Sequence, residues 1–356
     1  MHSGQSAMTH LSQRAVAIRL VGLLLLIIVV LVLLSLLIGS TGETHVRNLF
    51  DEAVSRQIVW DIRLPRALGA GLAGALLGLA GSLAQGLFRN PLADPYLLGS
   101  ASGASLGVAL ALLGASHATV VSGLSLREAT GSWLLTLGLT GAAFTGAMLA
   151  VLLTLFLARG VHNSIRLLLA GVVVGVVLGA VTSLVLLLAP EALQSMQAFM
   201  LGSTSYLDRS ACLQMAVVWL LCMILSWLLS PVLDGLALGE STAASLGLPL
   251  LPMRAVLVGV LALATGTAVA QTGLIAFVGL AAPHLVRAFI KTTHGWLLLL
   301  SSLMGCVLLL SADVLARWLI APLELPVGVV TAVLGGGYLL WLMQRADPVK
   351  NHGTRW

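Results

Sequence analysis

Residues Pro231–Arg254 read PVLDGLALGESTAASLGLPLLPMR, a turn-rich interval between two runs of nearly unbroken apolar sequence. Pro231 and Pro252 bracket it, and Gly239 and Gly247 punctuate it. Between those glycines, Glu240 to Leu246 has the composition of a helix of about two turns, with an acidic first turn that complements the helix dipole and a glycine just past its end. So short a helix is not stable alone. Its apolar and small residues, Leu238, Ala243, Ala244, Leu246 and Leu248, suit docking into a groove on another protein, and they suit equally an amphipathic loop lying at a membrane surface.

The runs on either side, 211–229 and 255–271, are each close to the roughly 20 apolar residues that cross a hydrocarbon layer as a helix. Outward from them the same pattern repeats at 17–39, 65–88, 98–116, 132–157, 167–189, 274–290, 297–320 and 327–344. With 59% hydrophobic and 9% charged residues and a mean hydropathy of +1.05, the chain reads as an all-α polytopic membrane protein of about ten transmembrane helices. Residues 1–356 form one membrane domain, with 231–254 as its soluble loop. Helices are required because the apolar runs are continuous rather than alternating, and a backbone group left unpaired in lipid costs several kcal/mol.

Orientation follows from the arginines, since Lys291 and Lys350 are the only lysines. An even number of helices puts both termini on one side. That side carries eleven of the 18 basic residues, which predicts cytoplasmic termini, although the cluster Arg56, Arg63 and Arg66 before the second helix pulls the other way. The net charge of +5 is thus mostly topology, and no basic patch interleaved with aromatics points to nucleic acid. Arg14 and Arg19 ahead of an uncharged run resemble a secretion signal, but the run is too long and lacks a small-x-small site, so it reads as the first retained helix. Cys212, Cys222 and Cys306 all fall in apolar segments and read as small buried hydrophobes, without a disulfide or metal set.

The segment Arg63–Gly107, RLPRALGAGLAGALLGLAGSLAQGLFRNPLADPYLLGSASGASLG, carries more. Gly71, Gly74, Ala75, Gly78 and Gly81 form a small-residue face that admits a neighbouring helix closely. Pro91 and Pro95 end the helix in a polar turn with Asn90 and Asp94. Together with Arg166–Gly171 (RLLLAG), Leu238–Gly247 (LGESTAASLG), Phe277–Arg287 (FVGLAAPHLVR), Ala312–Arg317 (ADVLAR) and Glu324–Thr331 (ELPVGVVT), this order and spacing resembles the permease subunits of the ABC importers for ferric siderophores, cobalamin and haem. Leu274 and Ala276 stand where that family usually has a proline and a glycine, and Gly337 where proline is common, so the local kinks of the eighth and tenth helices are open.

The resemblance implies a vitamin B12 transporter permease-like fold: a homodimer of ten-helix subunits, a path along the dimer axis, a periplasmic substrate-binding protein, a cytoplasmic ABC ATPase dimer and a bacterial inner (plasma) membrane with its lipid. ATP belongs to the partner ATPase and this subunit needs no cofactor. Consistently, a phosphate-cradling loop needs Gly-Lys followed by Ser or Thr, and neither lysine follows a glycine. By the same resemblance Arg63, Arg66 and Arg317 meet acidic residues of the binding protein, where a planar guanidinium pairs two ways with a carboxylate. Local partners compete for them: Asp61 beside Arg63, and Asp313 four residues before Arg317. Asn90, Leu92, Asn163 and Ser164 match the cytoplasmic gate. Gly171, Gly175 and Gly179 recur every four residues on the fifth helix and read either as a smooth wall of the substrate path or as a packing face inside one subunit. Leu238, Gly239, Glu240, Ala244, Leu246 and Gly247 match the segment that couples to the ATPase.

No histidine pair has metal-ligand spacing and no nucleophile elbow stands out, so no catalytic or metal site is expected; His284 after Pro283 reads as a packed or interfacial residue. An ion-coupled secondary transporter is the competing class. It would need ionisable groups at mid-membrane, and the nearest, Asp313, has Arg317 one turn away.

Overall fold

The computed structural model describes residues 2–39, 42–43, 57–122, 133–160, 164–245, 247 and 249–346. Among the described residues the helices are α1 (His2–Leu37), α2 (Leu64–Phe88), α3 (Ser100–Ser122), α4 (Trp133–Leu157), α5 (Ser164–Leu188), α6 (Leu193–Leu201), α7 (Arg209–Leu228), α8 (Ser230–Ala237), α9 (Glu240–Ser245), α10 (Leu250–Thr272), α11 (Val278–Phe289), α12 (His294–Trp318) and α13 (Val327–Ala346). Two-residue strands, Ile38–Gly39 and Gly42–Glu43, pair antiparallel after α1. Among the described residues seven helices are long and apolar enough to cross a membrane, and three shorter apolar ones, within α3, α11 and α13, complete the expected set of ten segments.

The α2 helix is the core. Its apolar window is 89% buried, against 22% for α5, so α2 is lined by protein on all sides while α5 keeps one bare face. The reason is in its small residues. α2 lies antiparallel to α12 in the most extensive helix contact of the fold, and a methyl group at Gly74 or Gly78 would collide with the carbonyl oxygens of Gly305 and Ser301. Backbones meet there without intervening side chains, which is how helices gain contact when lipid offers no hydrophobic drive between them. Polar side chains reinforce the seam: the Trp219 indole donates to Ser302 Oγ (2.7 Å), and that hydroxyl donates to Ala75 O (3.0 Å), joining α7, α12 and α2. Cys222 and Cys306 are buried and Cys212 is half-buried, all as free thiols.

Three boundaries depart from expectation. A five-residue π turn, Val59–Arg63, leads into α2. The loop after α7 holds two short helices, α8 and α9, where one over 240–246 was expected; Leu246 and Leu248 lie outside the described residues. The expected helix over 274–290 is the 12-residue α11, about 18 Å long against a hydrocarbon layer of about 30 Å. The missing turns are spent on other segments: Ser203 N–H donates to Thr272 O (2.8 Å) and Leu274 N–H to Phe199 O (3.1 Å). The chain therefore leaves the helix at Gly273 (φ 69°) and re-enters it at Phe277 (φ 69°), without the proline and glycine of the resembled family. A left-handed Phe is strained. It is held by α13, where a Cβ on Gly335 would strike the Phe277 side chain. α13 itself runs unbroken through Gly337.

Candidate functional site

The turn between α2 and α3 is built by its own polar side chains. Arg89 ends α2 in the left-handed region (φ 49°). Asn90 Oδ1 accepts from Leu92 N–H (2.9 Å), Ala93 N–H donates to Asn90 O (3.0 Å), and Asp94 Oδ1 accepts from Tyr96 N–H (2.8 Å) to start the 3-10 turn Pro95–Leu98. The fold of the turn leaves Asn90 exposed and Leu92 59% exposed, at the same end of the bundle as Arg89. Tyr96 anchors its far side by donating to Ile275 O (3.1 Å). Asn163 lies outside the described residues, and Ser164 is the first residue of α5.

Gly171, Gly175 and Gly179 are not equivalent. A Cβ at Gly171 would collide with Leu97 O, one at Gly175 would touch only Ser102 Oγ at 3.5 Å, and one at Gly179 would meet nothing within 4 Å. Gly171 is thus packed on the Leu97 backbone, and the space beside the helix widens towards Gly179. Val172, Val173, Val176, Val177 and Leu184 stand exposed on the same helix.

The arginines converge on one end of the bundle. Asp313, fully buried, accepts from Arg66 Nε (3.0 Å), Arg317 Nη2 (2.8 Å) and Thr204 Oγ1 (2.5 Å). Arg317, 2% exposed, also donates to Ser35 O (3.0 Å), Ile38 O (2.8 Å) and Ser35 Oγ (2.6 Å). Arg66 spans Asp313 and Glu324, with Nη1 at 2.8 Å from Glu324 Oε2 and 3.1 Å from Oε1. Two cations and two carboxylates balance, so the cluster can be buried without a net charge. Of the local partners expected, Asp313 does pair with Arg317, whereas Asp61 pairs with Arg209 (2.7 Å) and Arg63 Nη1 donates to Leu36 O (2.7 Å). Asp313 is therefore neutralised by two guanidinium groups and is a poor carrier for an ion-coupled transporter.

The opposite end carries the 231–254 loop. Glu240 pairs with the buried Arg254 (2.6 Å) and more loosely with Arg89 (3.6 Å), which fixes the start of α9 against α10 and the end of α2. Asp234 of α8 accepts from His294 N–H (3.0 Å) and lies 2.7 Å from its Nδ1, serving as a cap for the first turn of α12. Burial raises the Asp234 carboxyl pKa, but the hydrogen bonds and charge of His294 outweigh it and hold the group below the usual range. Next to this, Arg287 of α11 bonds Gln85 Oε1, and Gln85 Nε2 donates to Leu280 O (3.2 Å). Leu238 is 69% exposed and Ala244 is exposed, while Ala243 is fully buried; Gly239 (φ 112°) and Gly247 (φ 75°) turn the chain at either side of α9. No group of three or more His, Cys, Asp or Glu that could hold a metal occurs among the described residues. His284 packs edge-on against Tyr338.

The sequence profile of the FecCD transport family matches residues 25–345. The chain belongs to that family. Among its relatives are the hemin transport system permease protein HmuU of Yersinia pestis, 38% identical over 290 residues (81% of this chain, 83% of HmuU), and the vitamin B12 import system permease protein BtuC of Escherichia coli, 38% identical over 295 residues (81% and 84%). A solved structure described as an inward-facing metal-chelate type ABC transporter superposes with a TM-score of 0.79 at 28% identity, covering 92% of this chain and 99% of the other. This FecCD protein is thus an all-α, multi-pass ABC transporter permease of the vitamin B12 transporter permease-like architecture.

Several groups in this FecCD permease escaped the sequence reading. Arg254, Arg89, Asp234, His294, Gln85 and Thr204 were not singled out, although each bonds to a charged or structural group far away in sequence. The one available signal was statistical: in a chain with 9% charged residues, a charge at a helix end needs a partner.

Proposed function

We propose that this permease is the membrane subunit of an ABC importer in a bacterial inner membrane, taking a large metal chelate (ferric siderophore, cobalamin or haem) from a periplasmic binding protein into the cytoplasm. The observation that carries the reading is the build of the α8–α9 loop. Both of its carboxylates are tied back into the bundle, through Asp234–His294 and Glu240–Arg254, while Leu238 and Ala244 are left exposed. A loop held rigidly at its root and bare at its tip suits a part that receives a push from a partner. A slack one would absorb the displacement.

In this reading Leu238, Gly239, Glu240, Ala244, Leu246 and Gly247 engage a cytoplasmic ATPase dimer, which hydrolyses the ATP, and both termini lie on that side. The bare face of α5 pairs with a second permease subunit, with Gly175 and Gly179 on the path between them, and Asn90, Leu92, Asn163 and Ser164 close its inner end. The binding protein docks over this arginine end at Arg63 and Arg66, whereas Arg317, 2% exposed and bonded to Asp313, Ser35 and Ile38, is turned away from a partner and braces Asp313 beneath them. Because Arg66 is turned inward, a docking carboxylate reaches it by exchanging with Glu324, whose side chain is 28% exposed.

The test is reconstitution in proteoliposomes with the partner ATPase and binding protein. Uptake of one chelate with matched stimulation of ATP hydrolysis is the expected result. Uptake driven by a proton or sodium gradient without ATPase would overturn the reading in favour of an ion-coupled transporter.

A further inference from the structure

Glu240, the first residue of α9, divides one carboxylate oxygen between two arginines. Its Oε1 lies 2.6 Å from Arg254 Nη2 and 3.6 Å from Arg89 Nη2. The two cations belong to different parts of the bundle. Arg254 is buried near the start of α10, whereas Arg89 is exposed, closes α2 and immediately precedes Asn90. Arg89 is also a strained corner. It holds φ 49°, a region costly for any residue with a Cβ, and the next N–H, that of Asn90, donates back to Gln85 O (3.2 Å). The turn bearing Asn90 and Leu92 therefore hangs from Arg89.

The two short helices of the loop are anchored differently. α8 belongs with α2 and α12: Asp234 is bonded to His294, and a Cβ on Gly86, in the last turn of α2, would lie 3.2 Å from Leu233 Cδ2. α9 is held to α10 through Glu240 and Arg254. Between α8 and α9 stands Gly239 (φ 112°), where an added Cβ would meet, among the described residues, Thr242 Oγ1 at 3.8 Å. Past α9 stands Gly247 (φ 75°), where it would meet none of them within 4 Å. α9 is thus a short element between two loosely packed glycine joints. A push on its exposed side is felt at the Glu240 carboxylate, and a shift of about 1 Å exchanges the tight contact for the loose one.

We propose that Arg89 is a positioning residue of the inner gate: by sharing Glu240 with Arg254, it makes the arrangement of the Asn90–Leu92 turn depend on where α9 stands. The inference rests on α9 being the contact for the ATPase. The looseness of the Arg89 contact suits the role. An exposed pair of this kind adds little to stability, so it can be made and broken in every cycle without loosening the fold.

The test uses the full permease with its partner ATPase in lipid nanodiscs, carrying Leu92→Cys as a reporter of the turn. Its rate of reaction with a maleimide is read with and without a non-hydrolysable ATP analogue, the same complex with Leu92 intact giving the background. The nucleotide should change that rate roughly tenfold, and with Arg89→Ala added the change should shrink below about twofold. Arg89→Lys, which keeps the charge, should retain part of the response. In Arg89→Ala the ATPase should still copurify, basal ATP hydrolysis should be unchanged, and the unfolding midpoint should move by no more than about 2 °C. If Arg89→Ala fails to assemble, Arg89→Gln, which keeps a polar stem and loses the charge, decides in its place. A full nucleotide response without the Arg89 charge would overturn the proposal. So would loss of the ATPase from Arg89→Ala alone, which would make Arg89 a contact of the motor itself. A reporter complex that binds the ATPase yet shows no response at position 92 would refute this inference and leave the importer reading standing, whereas failure of the parent permease to bind an ATPase would refute both.

Discussion

Replacing Asp313 by alanine removes the one carboxylate that joins Arg66, Arg317 and Thr204. Arg66 keeps Glu324, and Arg317 keeps the Ser35 and Ile38 acceptors, so neither guanidinium is wholly abandoned. What is lost is charge balance at a site where the two arginines are 8% and 2% exposed. Breaking a buried pair by deleting one member costs about 3–5 kcal/mol; the surviving bonds place this case near the lower end. The unfolding midpoint in detergent, followed by tryptophan fluorescence, should drop by on the order of 5–10 °C. Asp313→Ala with Arg317→Met restores neutrality and should recover part of the loss, a non-additivity that marks direct coupling. A midpoint within 1 °C of the parent for Asp313→Ala, or strictly additive losses, would refute the view that charge balance holds this end together.

Three further outcomes are expected. Gly175→Leu should abolish uptake while dimer assembly on a sizing column is normal, whereas Gly171→Leu should fail to assemble, because its Cβ alone would meet Leu97 O. Ala244→Arg should leave expression and dimerisation intact but eliminate chelate-stimulated ATP hydrolysis; Ala243→Arg, at a fully buried position, should lower the yield of folded protein instead. Glu324→Gln should tighten docking of the binding protein several-fold in a surface-binding assay, since it weakens the internal competitor for Arg66; unchanged or weaker docking would remove Arg66 from the interface.

Much of this fold was legible because the bilayer leaves few choices. Ten apolar runs mapped onto ten helices, and the small-residue face of Gly74 and Gly78 met α12 as its pattern implied. What escaped was set by pairing across long separations. Nothing local in LGESTAASLG says that Glu240 is held by Arg254, or that Asp234 caps a helix beginning at His294. The shortened α11 was hidden for a related reason: Gly273 to Phe277 remains apolar, but Leu274 N–H bonds to Phe199 O and the neighbouring Thr272 O accepts from Ser203 N–H. The glycine repeat on α5 showed its period in the sequence and not its gradient, since only the neighbouring Leu97 backbone distinguishes Gly171 from Gly179.

The α2–α12 seam also limits how the molecule can move. Sliding α2 along α12 by one turn, about 6 Å, would bring Ser82 to the place where Gly78 now faces the Ser301 carbonyl. The pair can tilt but cannot shear. α2 has 25 residues and is about 37 Å long, with Arg66 in its first turn and Gln85 in its last. A tilt of about 5° displaces one end by roughly 3 Å relative to the other. The two helices thus make a lever whose ends are the arginine cluster and the root of the α8–α9 loop, and whose stiffness comes from backbones that meet directly at Gly74 and Gly78.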